Sequence, residues 1–293
     1  MAAKKTQAHR WLPGIATAAL LSAVAAGGAA VPAAAARHSP AAIRATQPPG
    51  YQVVSSGLLN APKGASSSGA FATCPAGTVV WGGGVAFSHA NGPSLTINTS
   101  SPNGSSGWEG WVNNTGDTTL QFSVDAICAD KPAGYKIVSR EVSSPPSTQS
   151  HATATCPAPD VLLGGGALAT ADQAADVLTS AWPRTSAKFT GYLDNGTTSV
   201  ANIIVDAICG HKPTGYKIVS HGGSVPPGAT ALASIACLAG TSPLDGGVQA
   251  PDHVPAVQIS DTNNSGAPPG WFIAVNNTGQ AVHQLNGYAI CAA

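Results

Sequence analysis

The chain has 293 residues, only 9% of them charged, with 13 Lys+Arg against 13 Asp+Glu. No basic footprint is concentrated enough for nucleic acid, and no basic amphipathic helix is present to dock on an anionic membrane surface. Abundant Gly, Pro, Ser, Thr, Ala and Val, with few Glu, Lys, Gln and Met, describe a loop-rich all-β protein.

In chain order the first expected element is an export signal over residues 1–36. Lys4, Lys5 and Arg10 precede an apolar run from Trp11 to Ala26, and Ala34 and Ala36 supply small residues before a cut at Arg37. Gly27-Gly28 and Pro32 break the run short of the ~20 apolar residues of a bilayer span. No Cys follows it to take a lipid. The expectation is a secreted, extracellular chain with no membrane insertion after signal cleavage. Cleavage removes three bases, leaving ten against thirteen acids and a net charge of about −3. Residues 37–49, with Pro40, Pro48 and Pro49, read as a disordered lead-in.

Three tandem copies of one β module follow, over 50–133, 134–214 and 215–293. They open with Gly50-Tyr51-Gln52-Val53-Val54-Ser55, Gly134-Tyr135-Lys136-Ile137-Val138-Ser139 and Gly215-Tyr216-Lys217-Ile218-Val219-Ser220. Each continues to a first Cys (Cys74, Cys156, Cys237), then glycines (Gly82-Gly83-Gly84, Gly164-Gly165-Gly166, Gly246-Gly247), then a second Cys (Cys128, Cys209, Cys291). The Cys separations are 54, 53 and 54 residues. In the first copy, strands are expected near 51–56, 70–74, 78–87, 94–100, 107–113 and 119–128, the last alternating polar and apolar residues. Asn113-Asn114-Thr115-Gly116, Asp194-Asn195-Gly196-Thr197 and Asn276-Asn277-Thr278-Gly279 read as hairpin-type turns feeding the closing strand. Thr170 to Val177 could form a helical turn. The glycines lack the strand-to-helix context and the Lys of a phosphate loop. They read instead as bends or close backbone approaches.

Threefold repetition leaves two symmetric disulfide frameworks. One pairs Cys74–Cys128, Cys156–Cys209 and Cys237–Cys291. The other pairs across copy boundaries and joins Cys74 to Cys291. The first is favoured because it completes each module alone. Close C-x-x-C pairs are missing, so no metal is expected, and no cofactor motif is present.

Candidate catalytic groups are sparse. Glu109 with Asp117 or Asp125 could form the carboxylate pair of glycoside hydrolysis. Asp125 and Asp206 recur beside a Cys, but the third copy has Tyr288, and the residue reads as structural. The histidines do not fall at equivalent repeat positions, and no Gly-x-Ser-x-Gly elbow occurs. No catalytic residue is assigned. Aromatic residues give the better lead. Trp108, Phe189 and Trp271 fall in register, as do Trp111 and Tyr192, with Ala274 in the third copy. Such rings either stack on a sugar ring or fill the core.

The run Cys74-Pro75-Ala76-Gly77, the Gly82 that follows and the later strand ending in Cys128 resemble the vitelline membrane outer layer protein family, as does the succession of three copies. The second copy has Pro159 in place of the Gly, and the third has Leu238 in place of the Pro. The resemblance implies a β-prism, three sheets around a pseudo-threefold axis, with a carbohydrate-facing cleft. The export signal and Ala-rich composition are also similar to those of secreted repeat proteins of high-GC bacteria.

The expected fold is therefore three β modules sharing one pseudo-threefold prism, the alternative being three separate small β-sandwiches. Short joins such as Asp130-Lys131-Pro132-Ala133 favour close packing. The expected function is non-catalytic binding of a glycan or cell-envelope polymer, with avidity from three equivalent sites. A structural or protein-interaction role at the cell surface and a secreted glycan hydrolase are the alternatives.

Overall fold

A computed structural model describes residues 47–87, 94–170 and 175–293. The expected export signal, residues 37–46 of the lead-in, His38 and His89 lie outside them. The first copy supplies β1 (Gln52–Ser55), β2 (Leu59–Ala61), β3 (Ala65–Thr73), β4 (Thr78–Phe87), β5 (Leu95–Pro102), β6 (Gly107–Asn114) and β7 (Leu120–Asp130). The second supplies β8 (Lys136–Ser144), β9 (Thr148–Thr155), β10 (Val161–Ala169), β11 (Asp176–Thr185), β12 (Lys188–Asn195) and β13 (Ala201–Gly210). The third supplies β14 (Lys217–Val225), β15 (Thr230–Ala236), β16 (Ser242–Gln249), β17 (Val257–Asn264), β18 (Gly270–Asn277) and β19 (His283–Ala292). The six strands expected in the first copy are present, and β2 is an addition. The helical turn expected at 170–177 is absent from the described residues, since Asp176 and Val177 begin β11 and 171–174 lie outside them.

These strands make three antiparallel sheets. The first runs β1-β7-β4-β17-β18-β15, with β2 beside β7; the second β3-β6-β5-β10-β13-β8; the third β14-β19-β16-β11-β12-β9. Each sheet is half one copy and half another, the first joining the third copy back to the first. Separate sandwiches are thereby excluded. A lone copy would hold two half-sheets with bare edges, and each edge is completed by the neighbouring copy. The seams pair Val85 with Thr262, Ala167 with Ser100 and Ala181 with Val248.

Alternation decides which face turns inward. In β7, Leu120, Phe122, Val124 and Ala126 are buried between more exposed Gln121, Ser123 and Asp125. Close approach explains the glycines. A Cβ at Gly83 or Gly165 would lie 2.5 Å from the ring of Trp108 or Phe189, and one at Gly246 would collide with Trp271. The ring partners vary together. The Trp108 indole N–H donates to Ser100 Oγ at 3.0 Å and that of Trp271 to Thr262 Oγ1 at 2.8 Å. Phe189, with no N–H to satisfy, faces a position occupied by Ala181. Gly82 abuts the Leu244 carbonyl and Gly164 the Trp81 carbonyl, so β4, β10 and β16 meet at the pseudo-threefold axis. The third copy places Asp245 where the others have Gly82 and Gly164. Its buried carboxylate accepts backbone N–H bonds from Gly83, Gly165 and Gly246, one from each copy.

The cystines are Cys74–Cys128, Cys156–Cys209 and Cys237–Cys291, with no free cysteine. Each ties the residue after an edge strand of one sheet to a strand of the next, so together they link all three pairs of sheets. Closing loops of this length stabilises by roughly 4 kcal/mol each in the chain-entropy model. Three structural cystines belong to an oxidising compartment. Among the described residues no helix is long and apolar enough to cross a membrane.

The opening Tyr of each copy latches the copies in a ring. Tyr51 Oη donates to the Pro243 carbonyl (2.8 Å), Tyr135 to Val80 (2.9 Å) and Tyr216 to Leu162 (2.7 Å). Burial pushes all three phenols up in pKa, so they remain donors. Tyr135→Phe orphans a carbonyl at a copy boundary and is expected to cost about 1–2 kcal/mol in urea unfolding.

The Asn turns are not hairpins. β6 and β7 belong to different sheets, so the turn carries the chain around a corner of the prism. The second Asn holds that corner: Asn114 Nδ2 donates to the carbonyls of Ala61 (2.8 Å) and Thr118 (2.9 Å), and its Oδ1 accepts the Gly116 N–H (3.0 Å). Asn195 and Asn277 repeat the arrangement.

Candidate functional site

The five aromatic residues singled out in the sequence do not converge. Trp108, Phe189 and Trp271 are 1%, 1% and 0% exposed beneath the axial glycines, so their rings are core and cannot receive a ligand. Trp111 and Tyr192 are half-buried on the outer faces of different sheets, on β6 and β12. Trp111 covers Gly69 and meets Phe71 edge-on at 6.3 Å. The proposed carboxylate pairs fare no better. Glu109 lies on β6 of the second sheet and Asp125 on β7 of the first, while Asp117 sits in the exposed corner turn. Among the described residues no three His, Cys, Asp or Glu side chains are grouped to hold a metal ion.

Tyr192 alone leads to a cleft. Trp182 pairs with Thr190 across β11 and β12, which places Tyr192 diagonally beside it on the outer face of the third sheet. Tyr192 faces His151 on β9. The Tyr192 ring stacks on His253 at 3.9 Å and 3°, on His151 at 4.8 Å and on Trp182 at 5.8 Å. Arg184, at the bulge between Pro183 and Thr185 on β11, turns to the same side. Trp182, Arg184, Tyr192 and His253, with Gln249 and Tyr288, line a cleft of about 220 Å³, while His151 packs behind Tyr192. Tyr288 Oη donates to Gln249 Oε1 at 3.0 Å, fixing the amide.

His253 closes the cleft from the turn after β16. Its φ is 47°, a left-handed conformation that costs a non-Gly residue on the order of 1 kcal/mol and marks a position held by its surroundings. Desolvation, then the neighbouring His151, lowers its pKa against the opposing pull of Asp252, which keeps the ring neutral near pH 7.

This face departs from the repeat. Gly84, Gly166 and Gly247 lie against Asn263, Ser101 and Trp182, so these three occupy equivalent positions. On the second sheet Asp206 accepts hydroxyl bonds from Ser101 (2.7 Å) and Ser139. On the first, Asp125 accepts one from Ser55. On the third, Trp182 replaces the Ser101 type and Tyr288 the Asp, and a small polar pair becomes an aromatic one. Among the described residues the other two sheets therefore do not repeat this aromatic pair. Trp182, Arg184, Gln249, His253 and His151 were not singled out in the sequence. The signal that could have found them was Tyr288 standing where Asp recurs.

No protein-family model and no curated protein matches the chain.

Proposed function

We propose that the protein is a secreted, non-catalytic module that binds a glycan or cell-envelope polymer in the aromatic cleft of the third sheet. The observation that carries this reading is the concentration of Trp182, Tyr192, Tyr288 and His253, with Gln249 and Arg184, on the one face that abandons the repeat. Trp182, only 5% exposed, backs the cleft, and the half-buried Tyr192, Tyr288 and His253 supply apolar contact to the C–H faces of a sugar, while the amide, phenols and guanidinium bond its hydroxyls. The export signal and the cystine framework fit a chain working outside the cell. Titration of polysaccharides against intrinsic fluorescence tests the reading, because Trp182 sits in the cleft wall. Saturable quenching is expected, and calorimetry, which does not depend on the indole removed, should show at least a tenfold loss of affinity in Trp182→Ala. Undiminished binding by that variant would remove the cleft from the account.

A further inference from the structure

We infer that the ligand of this cleft is a polyanionic glycan, a sugar or polyol chain bearing repeated carboxylate or phosphodiester groups; the inference rests on the cleft being the glycan site. A second, larger depression of about 430 Å³ adjoins the aromatic cleft and shares Arg184 and Tyr288 with it. Its remaining wall includes Lys212, Tyr216, Lys217 and Ser220. A single groove thus runs across the third sheet from an aromatic end at Tyr192 to a cationic end at Lys212 and Lys217, with Arg184 at the junction.

Three features set these cations apart from ordinary surface charge. The walls of the two depressions contain no carboxylate. Among the described residues Arg184, Lys212 and Lys217 make no ion pair. The equivalent of Lys217 in the second copy, Lys136, is neutralised by Asp160 at 2.7 Å, but the third copy has Thr241 where the second has Asp160. The first copy also has a Thr there, Thr78, but carries Gln52 in place of the Lys, so an unneutralised Lys at this position is particular to the third copy. The Lys212 ammonium lies 5.9 Å from the centroid of the Tyr216 ring, which holds the charge at the groove wall. On a chain that is net-negative once its signal is removed, three unneutralised cations in one groove are a local inversion of charge. A ligand threading the groove meets rings first and then spaced positive charges. That order suits a polymer with repeating anions better than an isolated small anion.

Calorimetric titration of the signal-free chain with polygalacturonate, poly(glycerol phosphate) and dextran tests this. At least one polyanion is expected to bind about tenfold or more tighter than dextran, and to weaken as salt is raised. Lys212→Gln combined with Lys217→Gln should lower that affinity roughly tenfold with an unchanged melting midpoint. Tight binding of polygalacturonate alone assigns carboxylate, and of poly(glycerol phosphate) alone phosphodiester. Equal affinity for dextran and both polyanions, unmoved by the double variant, would overturn the anionic class and leave the aromatic cleft as a neutral-glycan site. Binding of double-stranded DNA as tight as that of the polyanions would overturn it too, since charge alone would then suffice. Failure of all three polymers to bind would overturn both readings.

Discussion

Asp245→Ala is expected to lower stability by roughly 4 kcal/mol in urea unfolding, the largest effect of a single substitution anticipated in this protein. The carboxylate sits at the pseudo-threefold axis and is the common acceptor for the N–H groups of Gly83, Gly165 and Gly246. Removing it leaves three buried donors unmet, each costing about 1–3 kcal/mol, offset in part by no longer burying a charge-bearing group. Burial raises the carboxyl well above its usual range, while the three amides pull it back. Asp245→Asn keeps the shape but turns an NH₂ towards a ring of donors, so it should be destabilising as well. Formate, which replaces the lost carboxylate, should raise the midpoint of the Ala variant during refolding and leave the wild type unmoved. A neutral effect of Asp245→Ala would mean that the three copies are not held through the axis.

Stability should also fall as pH rises from 4 towards 7, the reverse of ordinary acid denaturation. Asp176 is fully buried, both carboxylate oxygens lack a partner among the described residues, and its equivalents are Leu95 and Val257. Desolvation, with the charge of Asp194 adding to it, raises its pKa to about 6. Desolvation also raises Asp194 and Asp125, in the latter against the Ser55 hydroxyl. A carboxyl that holds its proton to higher pH in the folded state than in the unfolded chain binds the excess proton only when folded. Its contribution is complete below the unfolded value of 3.8 and lost as pH passes the folded value. For Asp176 the window is about pH 4 to 6, and the cost above it is on the order of 2 kcal/mol after screening. Asp176→Leu should recover that amount at pH 7.5, little at pH 4, and flatten the midpoint-against-pH curve. Destabilisation by this variant at pH 7.5 would show that the charged form has a compensating partner.

The architecture was legible where the repeat is regular. The Gly-Tyr openings, the Cys spacing and the alternation in β7 marked three β modules and the strands within them. What spacing could not carry was the exchange of strands between copies. β6 and β7 are joined by an Asn-rich turn, as a hairpin would be, yet they enter different sheets. The signal for that corner is the side chain of Asn114, which bonds Ala61 far back in the chain. The same limit hid the site. In-register Trp108, Phe189 and Trp271 left a repeated ligand surface open beside the favoured core reading, and the core reading holds, because residues that repeat in all three copies serve what all three copies share. The proposed binding face lies where equivalence fails, at Trp182 against Ser101, Tyr288 against Asp206 and Lys217 against Gln52. One sequence shows such departures, but only the register across β11, β16 and β19 brings them onto one face.

The double substitution Trp182→Ser with Tyr288→Asp probes that claim most directly. It installs on the third sheet the pair that the second sheet already holds as Ser101 and Asp206, with Ser220 waiting where Ser139 supplies the second hydroxyl. Polymer affinity measured by calorimetry should drop beyond detection while the melting midpoint stays within a few degrees of the wild type. Retained affinity in a folded double variant would contradict the assignment of binding to this face.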